Sequence, residues 1–112
     1  MGAKANIVID QGTDYSTVLS VTNDDGTPTN LSGYTAAGQM RKHYTSSAPT
    51  ATFAITFDSD RTTGLLTVAL AKGISTGIPA GRYVYDVEIT SSGDKTTRLV
   101  EGIATVTPQV TK

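Results

Sequence analysis

Apolar side chains recur at every second position along most of the chain, and the three-to-four spacing of a helix hardly occurs. Asn6–Asp10 places Ile7 and Ile9 on one face, and Asp14–Thr22 does the same with Tyr15, Thr17, Leu19 and Val21. Tyr34–Tyr44 aligns Tyr34, Ala36, Gly38 and Met40, with Gln39, Arg41 and His43 on the other face. Ala51–Phe57 points Phe53, Ile55 and Phe57 one way, and Leu65–Ala71 aligns Leu66, Val68 and Leu70. The clearest strand is Arg82–Thr90, with Tyr83, Tyr85, Val87 and Ile89 inward and Val84, Asp86, Glu88 and Thr90 outward. Thr96–Thr107 closes the series, and its alternation slips near Gly102, which predicts a β-bulge there. Lys72–Ile78 is the one helical candidate, a single turn broken by Pro79-Ala80-Gly81.

Turn residues separate these runs. Asn23-Asp24-Asp25-Gly26-Thr27-Pro28, Ser46-Ser47-Ala48-Pro49, Asp58–Gly64 and Ser91-Ser92-Gly93-Asp94 all carry the chemistry of tight connections. About seven short strands at this spacing predict an all-β antiparallel sandwich or small barrel. A chain of 112 residues suits one such domain over 1–112, with ends near 1–5 and 108–112 loose or docked on a partner.

Composition narrows the picture. Twenty threonines against nine serines favour pleated, half-solvated strands. A net charge of −1 offers no basic field for phosphates, so no nucleic-acid partner is expected. No apolar run approaches a membrane span, and no membrane partner is expected either. Without cysteine the chain has no disulfide, no thiolate and no Cys-type zinc site, which favours folding in a reducing cytoplasm.

Candidate chemistry is sparse. His43, the single histidine, falls at a strand end on a polar face. Asp24-Asp25 and Asp58-Ser59-Asp60 lack the ligand spacing of a calcium loop and fit side chains that hydrogen-bond their own turns. Asp86, Glu88 and Glu101 bring carboxylates to adjacent strands, with Arg82, Arg98 and Lys95 as cross-strand partners. Buried against another chain, these charges would set register and partner choice. Of the five tyrosines, Tyr15, Tyr34, Tyr83 and Tyr85 fall on inward faces, one of them suited to a tyrosine corner. Tyr44 alone is left as an exposed aromatic contact, too little for a sugar-stacking platform. No catalytic residue, cofactor or metal is expected.

Three runs carry a family resemblance: Gln11-Gly12-Thr13-Asp14; Leu31-Ser32-Gly33-Tyr34 followed by Gln39-Met40-Arg41; and Pro79-Ala80-Gly81-Arg82-Tyr83-Val84-Tyr85-Asp86 followed by Thr97–Val106. Over residues 5–108 this order resembles the small immunoglobulin-like β-sandwich virion proteins of tailed bacteriophages, of the marine and cyanobacterial myovirus type. It is similar to the N-terminal domain of phage upper baseplate proteins.

The resemblance implies a non-catalytic adaptor of the tail, baseplate or neck, located in the virion and assembled in the host cytoplasm. The alternatives are a capsid decoration protein and a carbohydrate-binding module for host-surface glycan. Partners would be other virion structural proteins and symmetric copies of the chain itself. The expected docking elements are terminal strand edges: Asn6, Ile7, Val8 and Ile9 at one end, and Thr107, Gln109 and Val110 at the other. On that reading, deleting Met1–Asp10 or Thr107–Lys112 weakens assembly more than folding.

Overall fold

The alternating runs pair into two facing sheets. The computed structural model describes residues 3–111, so of the expected loose ends 1–5 and 108–112 only Met1, Gly2 and Lys112 lie outside the described residues. The rest is partly tied down, with Ala3 and Lys4 paired to Val100 and Glu101, the Ala5 amide donating to the Glu101 carbonyl at 2.9 Å and the Gln109 amide to Gln11 Oε1. In chain order the elements are β1 (Ala3–Lys4), β2 (Ile7–Asp10), β3 (Tyr15–Ser20), β4 (Thr35–Arg41), β5 (Ala51–Thr52), β6 (Ala54–Phe57), a 3₁₀ turn (Arg61–Thr63), β7 (Leu65–Leu70), α1 (Lys72–Ser75), β8 (Gly81–Thr90) and β9 (Thr96–Thr107). The larger sheet runs β1–β9–β8–β4–β5, with β2 also on β9, and the smaller runs β3–β7–β6. With β1 and β2 taken as one broken strand, and β5 and β6 as another, seven strands remain, as the alternation predicts.

Between the sheets lies the core. Ile9, Met40, Leu66, Leu70, Val87 and Val106 are fully buried, and Phe53 meets Tyr85 edge-on with ring centroids 6.2 Å apart. Every run predicted to face inward supplies buried or half-buried side chains to this layer. Sixteen buried apolar residues form it, and the hydrophobic effect on that surface drives the two sheets together.

Four details differ from the alternation. First, the sandwich is not wholly antiparallel: β1 and β2 run parallel to β9, with Ala3 beside Val100 and Ile7 beside Ala104. The short Gln11–Asp14 link, which must deliver the chain from β2 into β3 of the opposite sheet, fixes that direction. Second, Ala51–Phe57 is two strands. The chain leaves the larger sheet after Thr52 and enters the smaller at Ala54, while Phe53 stays in the core and donates its amide to the Gly38 carbonyl at 2.9 Å.

Third, the bulge is not at Gly102. The register shifts between Val87 and Glu88, which pair with Val100 and Arg98, so Leu99 is the extra residue. Gly102 answers a different need: a methyl there would collide with the Ala5 carbonyl oxygen where the N-terminal segment crosses β9. Fourth, Ala104–Thr107 is not an edge. β9 is flanked by β8 on one side and by β1 and β2 on the other.

Candidate functional site

The outer face of the larger sheet collects the outward side chains of β8 and β9 in rows set by strand register. Ile103, Val84 and Arg41 share one row; Glu101, Asp86 and Gln39 the next; Arg98, Glu88 and Ala37 the one after. Thr96, Thr90 and Thr35 form a further row, with the Thr90 and Thr96 hydroxyls 3.1 Å apart. Val8 stands on β2 diagonal to Ile103, and both are exposed. An aliphatic strip of Val8, Ile103 and Val84 thus borders a polar field.

One guanidinium organises that field. Arg98 Nε lies 3.5 Å from Asp86 and 3.9 Å from Glu88, and its Nη1 lies 3.5 Å from Glu101. Because all four groups keep water contact, these pairs contribute little stability. Their consequence is electrostatic: three carboxylates share the Arg98 guanidinium, and with Arg41 as the second cation of the patch one negative charge is left over. Arg41 is tied down, donating to the Ser46 carbonyl at 2.8 Å and to Gln39 Oε1 at 2.9 Å. Together these side chains line a shallow concavity of about 350 Å³, with Tyr44 at its rim. Arg82 and Lys95, expected as further cross-strand partners, make no ion pair among the described residues.

Tyr44 is 81% exposed and is the one exposed Phe or Tyr ring among the described residues, so no row of such rings forms a stacking platform around it. His43 is exposed, as its polar face predicts. No group of three or more potential metal ligands exists among the described residues. The acidic turns serve their own backbone. Asp25 and Asp60 each accept from a threonine hydroxyl (Thr27, Thr62) at 2.6 Å and from that residue's amide at 3.0 Å. Those bonds, the hydroxyl first, hold both carboxyls below the usual range. Burial pushes the Tyr15, Tyr83 and Tyr85 phenols up, and Tyr15 beside Tyr85 adds to the latter's shift.

The expected docking edges divide. β2 is an edge strand, but its alternate side chains face inward: Ile9 is fully buried and Ile7 half-buried. Removing Met1–Asp10 would therefore take Ile9 and Ile7 from the core, which sets a folding cost against the expectation that assembly suffers more than folding. Asn6 is committed to the fold, its Oδ1 accepting from the Ile103 amide at 3.1 Å. Thr107 belongs to an interior strand and donates to Asp10 Oδ1 at 2.7 Å. The Gln109 amide donates to Gln11 Oε1 at 3.0 Å. Only Val8 and Val110 offer free apolar surface in these segments, at 59% and 95% exposure.

The three motif runs build joints of the sandwich, with Ser75 and Arg61, to which the sequence assigns no role, as partners, and with Tyr83 as the expected tyrosine corner. Gln11 donates to the Ile78 carbonyl at 2.8 Å while accepting from Gln109, and Gly12, at φ 84°, donates its amide to Ser75 Oγ. Ser75, fully buried, donates in turn to the Thr13 carbonyl, and Asp14 Oδ1 accepts from the Lys72 amide at the start of α1. In the second run Arg61 reaches the Leu31 and Tyr34 carbonyls at 3.2 and 3.1 Å while stacking on Phe57. In the third, the Tyr83 hydroxyl donates to the Pro79 carbonyl at 2.6 Å, a tyrosine corner. The contacts of Gln11 with Ile78 and Gln109, and of Gly12 with Ser75, link residues over 60 positions apart, so no local pattern could reveal them.

No family model and no curated protein matches the chain. Among solved structures, a chicken TCR superposes over 96% of this chain with a TM-score of 0.54 at 15% identity. The chain spans 56% of that receptor chain's length. Tim-1 aligns over 100% of this chain and 99% of its own at 10% identity, with a TM-score of 0.47. The protein is an all-β, immunoglobulin-like sandwich.

Proposed function

We propose that the chain is a virion structural protein of a tailed bacteriophage, an adaptor of the tail, baseplate or neck that works by docking and without catalysis. The observation that carries the docking half of this reading is the outer face of the larger sheet. An aliphatic strip lies beside three carboxylates that share one guanidinium, on a broad and shallow surface. Partly solvated charges beside apolar surface suit a protein partner, because such charges choose register and orientation while aliphatic contact supplies affinity. The phage assignment rests on the ordered run of the three motifs, each of which builds a fixed joint of the sandwich. On this reading a basic group of a neighbouring virion protein completes the acidic patch.

A reconstruction of the particle tests the assignment by locating density for the chain. A double variant, Asp86→Lys with Glu101→Lys, tests the face. It is expected to fold, with an unchanged circular dichroism spectrum, and to fall out of assembled particles. Incorporation at wild-type occupancy would overturn the docking face, and absence of the chain from purified particles would overturn the virion role.

A further inference from the structure

The smaller sheet ends on β3, a six-residue edge strand of sequence Tyr-Ser-Thr-Val-Leu-Ser, hydrogen-bonded to β7 alone. Edge strands are normally blunted by charge, proline, a bulge or a covering element. β3 carries no charge and no proline, its ladder with β7 runs unbroken from Tyr15 to Ser20, and Val18 at its centre is 61% exposed. Its free backbone groups can be assigned. The Val21 amide donates to the Gly64 carbonyl, continuing the β3–β7 register, so the odd residues face β7. Ser16, Val18 and Ser20 therefore point their N–H and C=O groups to the open side.

Along that same side the two sheets do not close. A slot of about 110 Å³ runs between β3 and the N-terminal strands, lined by Ile7, Tyr15, Leu19, Phe53, Tyr85 and Val100. The surface is thus an unsatisfied ladder beside an apolar opening.

We propose that β3 pairs antiparallel with β3 of a second copy of this chain, about a two-fold axis through Val18. The sequence is self-complementary in that register. Val18 opposes itself, Ser16 opposes Ser20, and no like charges meet. The outward-pointing groups of Ser16, Val18 and Ser20 then satisfy one another, and two three-stranded sheets become one of six. Inward-facing Leu19 of each copy stands opposite Thr17 of the other and covers the mouth of the neighbouring slot. A basic or acidic partner strand has nothing to recognise along this edge, whereas a second β3 meets it group for group. The inference goes beyond the virion reading and does not depend on it.

The native absence of cysteine makes the test clean. In a directly opposed antiparallel pair the Cα atoms lie about 5.5 Å apart, within disulfide range. Val18→Cys of the full chain is expected to form a covalent dimer under mild oxidation, and Val8→Cys on β2 is not. Wild-type protein is expected to sediment as a concentration-dependent dimer with slowed amide exchange at Ser16, Val18 and Ser20. Val18→Pro, which removes the central donor from an edge with no partner among the described residues, is expected to be monomeric, with the melting temperature of wild-type protein diluted below dimerisation. A wild-type chain that stays monomeric, a dimer that survives Val18→Pro, or cross-linking through Val8→Cys in preference to Val18→Cys would each overturn the proposal.

Discussion

The two strands that flank the open side of the sandwich handle the same hazard in opposite ways. β2 is short, runs parallel to β9 and is fastened by side chains: Asn6 on the Ile103 amide, Asp10 on the Thr107 hydroxyl, and Gln11 on both Ile78 and the Gln109 amide. β3 is longer, uncharged and fastened on one side only. Both are amphipathic strands with a buried inward face, so hydrophobic patterning does not distinguish them. Polar side chains do. Where they reach across to β9 and its flanks the strand is fastened by side chains as well as by its ladder, and where the outward positions are serine and valine the ladder stands alone.

The largest effect should come from the fastened strand, β2. Ile9→Ala is expected to cost about 2–5 kcal/mol, because a fully buried side chain leaves a cavity. The matching Leu19→Ala on half-buried β3 should cost about half as much by urea unfolding, and equal costs would erase the contrast. Gly102→Val comes next, at about 2–3 kcal/mol, since β1 and β2 must shift off the Ala5 carbonyl contact. Hydrogen exchange should show the loss at β2 and leave β3 unchanged.

Tyr85→Phe removes the hydroxyl that donates to the Ala5 carbonyl at 2.6 Å and is expected to cost about 1–2 kcal/mol. Thr107→Val, at the exposed end of the fastening, should cost about 0.5–1 kcal/mol.

The smallest effects are those of pH. The buried phenols hold their protons more tightly when folded, so their contribution is intact below about pH 10 and is lost as pH rises through and beyond that value. Asp25 and Asp60, lowered in the fold, contribute above the usual carboxylate range and lose that contribution as pH falls through it. Melting curves at both extremes check these signs. Asp25→Asn, in a turn remote from both edges, should flatten the acid limb alone.

Much of this architecture is legible in the sequence because a two-residue period writes inward and outward faces directly. Tyr83, Tyr85, Val87 and Ile89 are buried as that period requires, and Arg98 does meet Asp86, Glu88 and Glu101. What the period cannot state is which strand lies beside which. β2 and β3 share one open side of the sandwich because the N-terminal strands lie on β9, where cross-chain bonds of Asn6 and Gln11 hold them. Gly102 illustrates the same limit. Its missing side chain suggested an irregular ladder, yet the cause is a carbonyl from the far end of the chain. The extra residue, Leu99, carries no local mark at all.

The fastening of β2 to β9 joins residues 97 apart in sequence. One half of the closure therefore leaves the ribosome 97 residues before the other. Ile9 has no strand to lie against until Ala104–Thr107 has emerged, and a link of that span closes slowly. Until that segment has emerged the nascent chain exposes both the core and β3. Refolding yield should therefore fall with protein concentration more steeply than equilibrium stability predicts, with β3 as the segment first to associate.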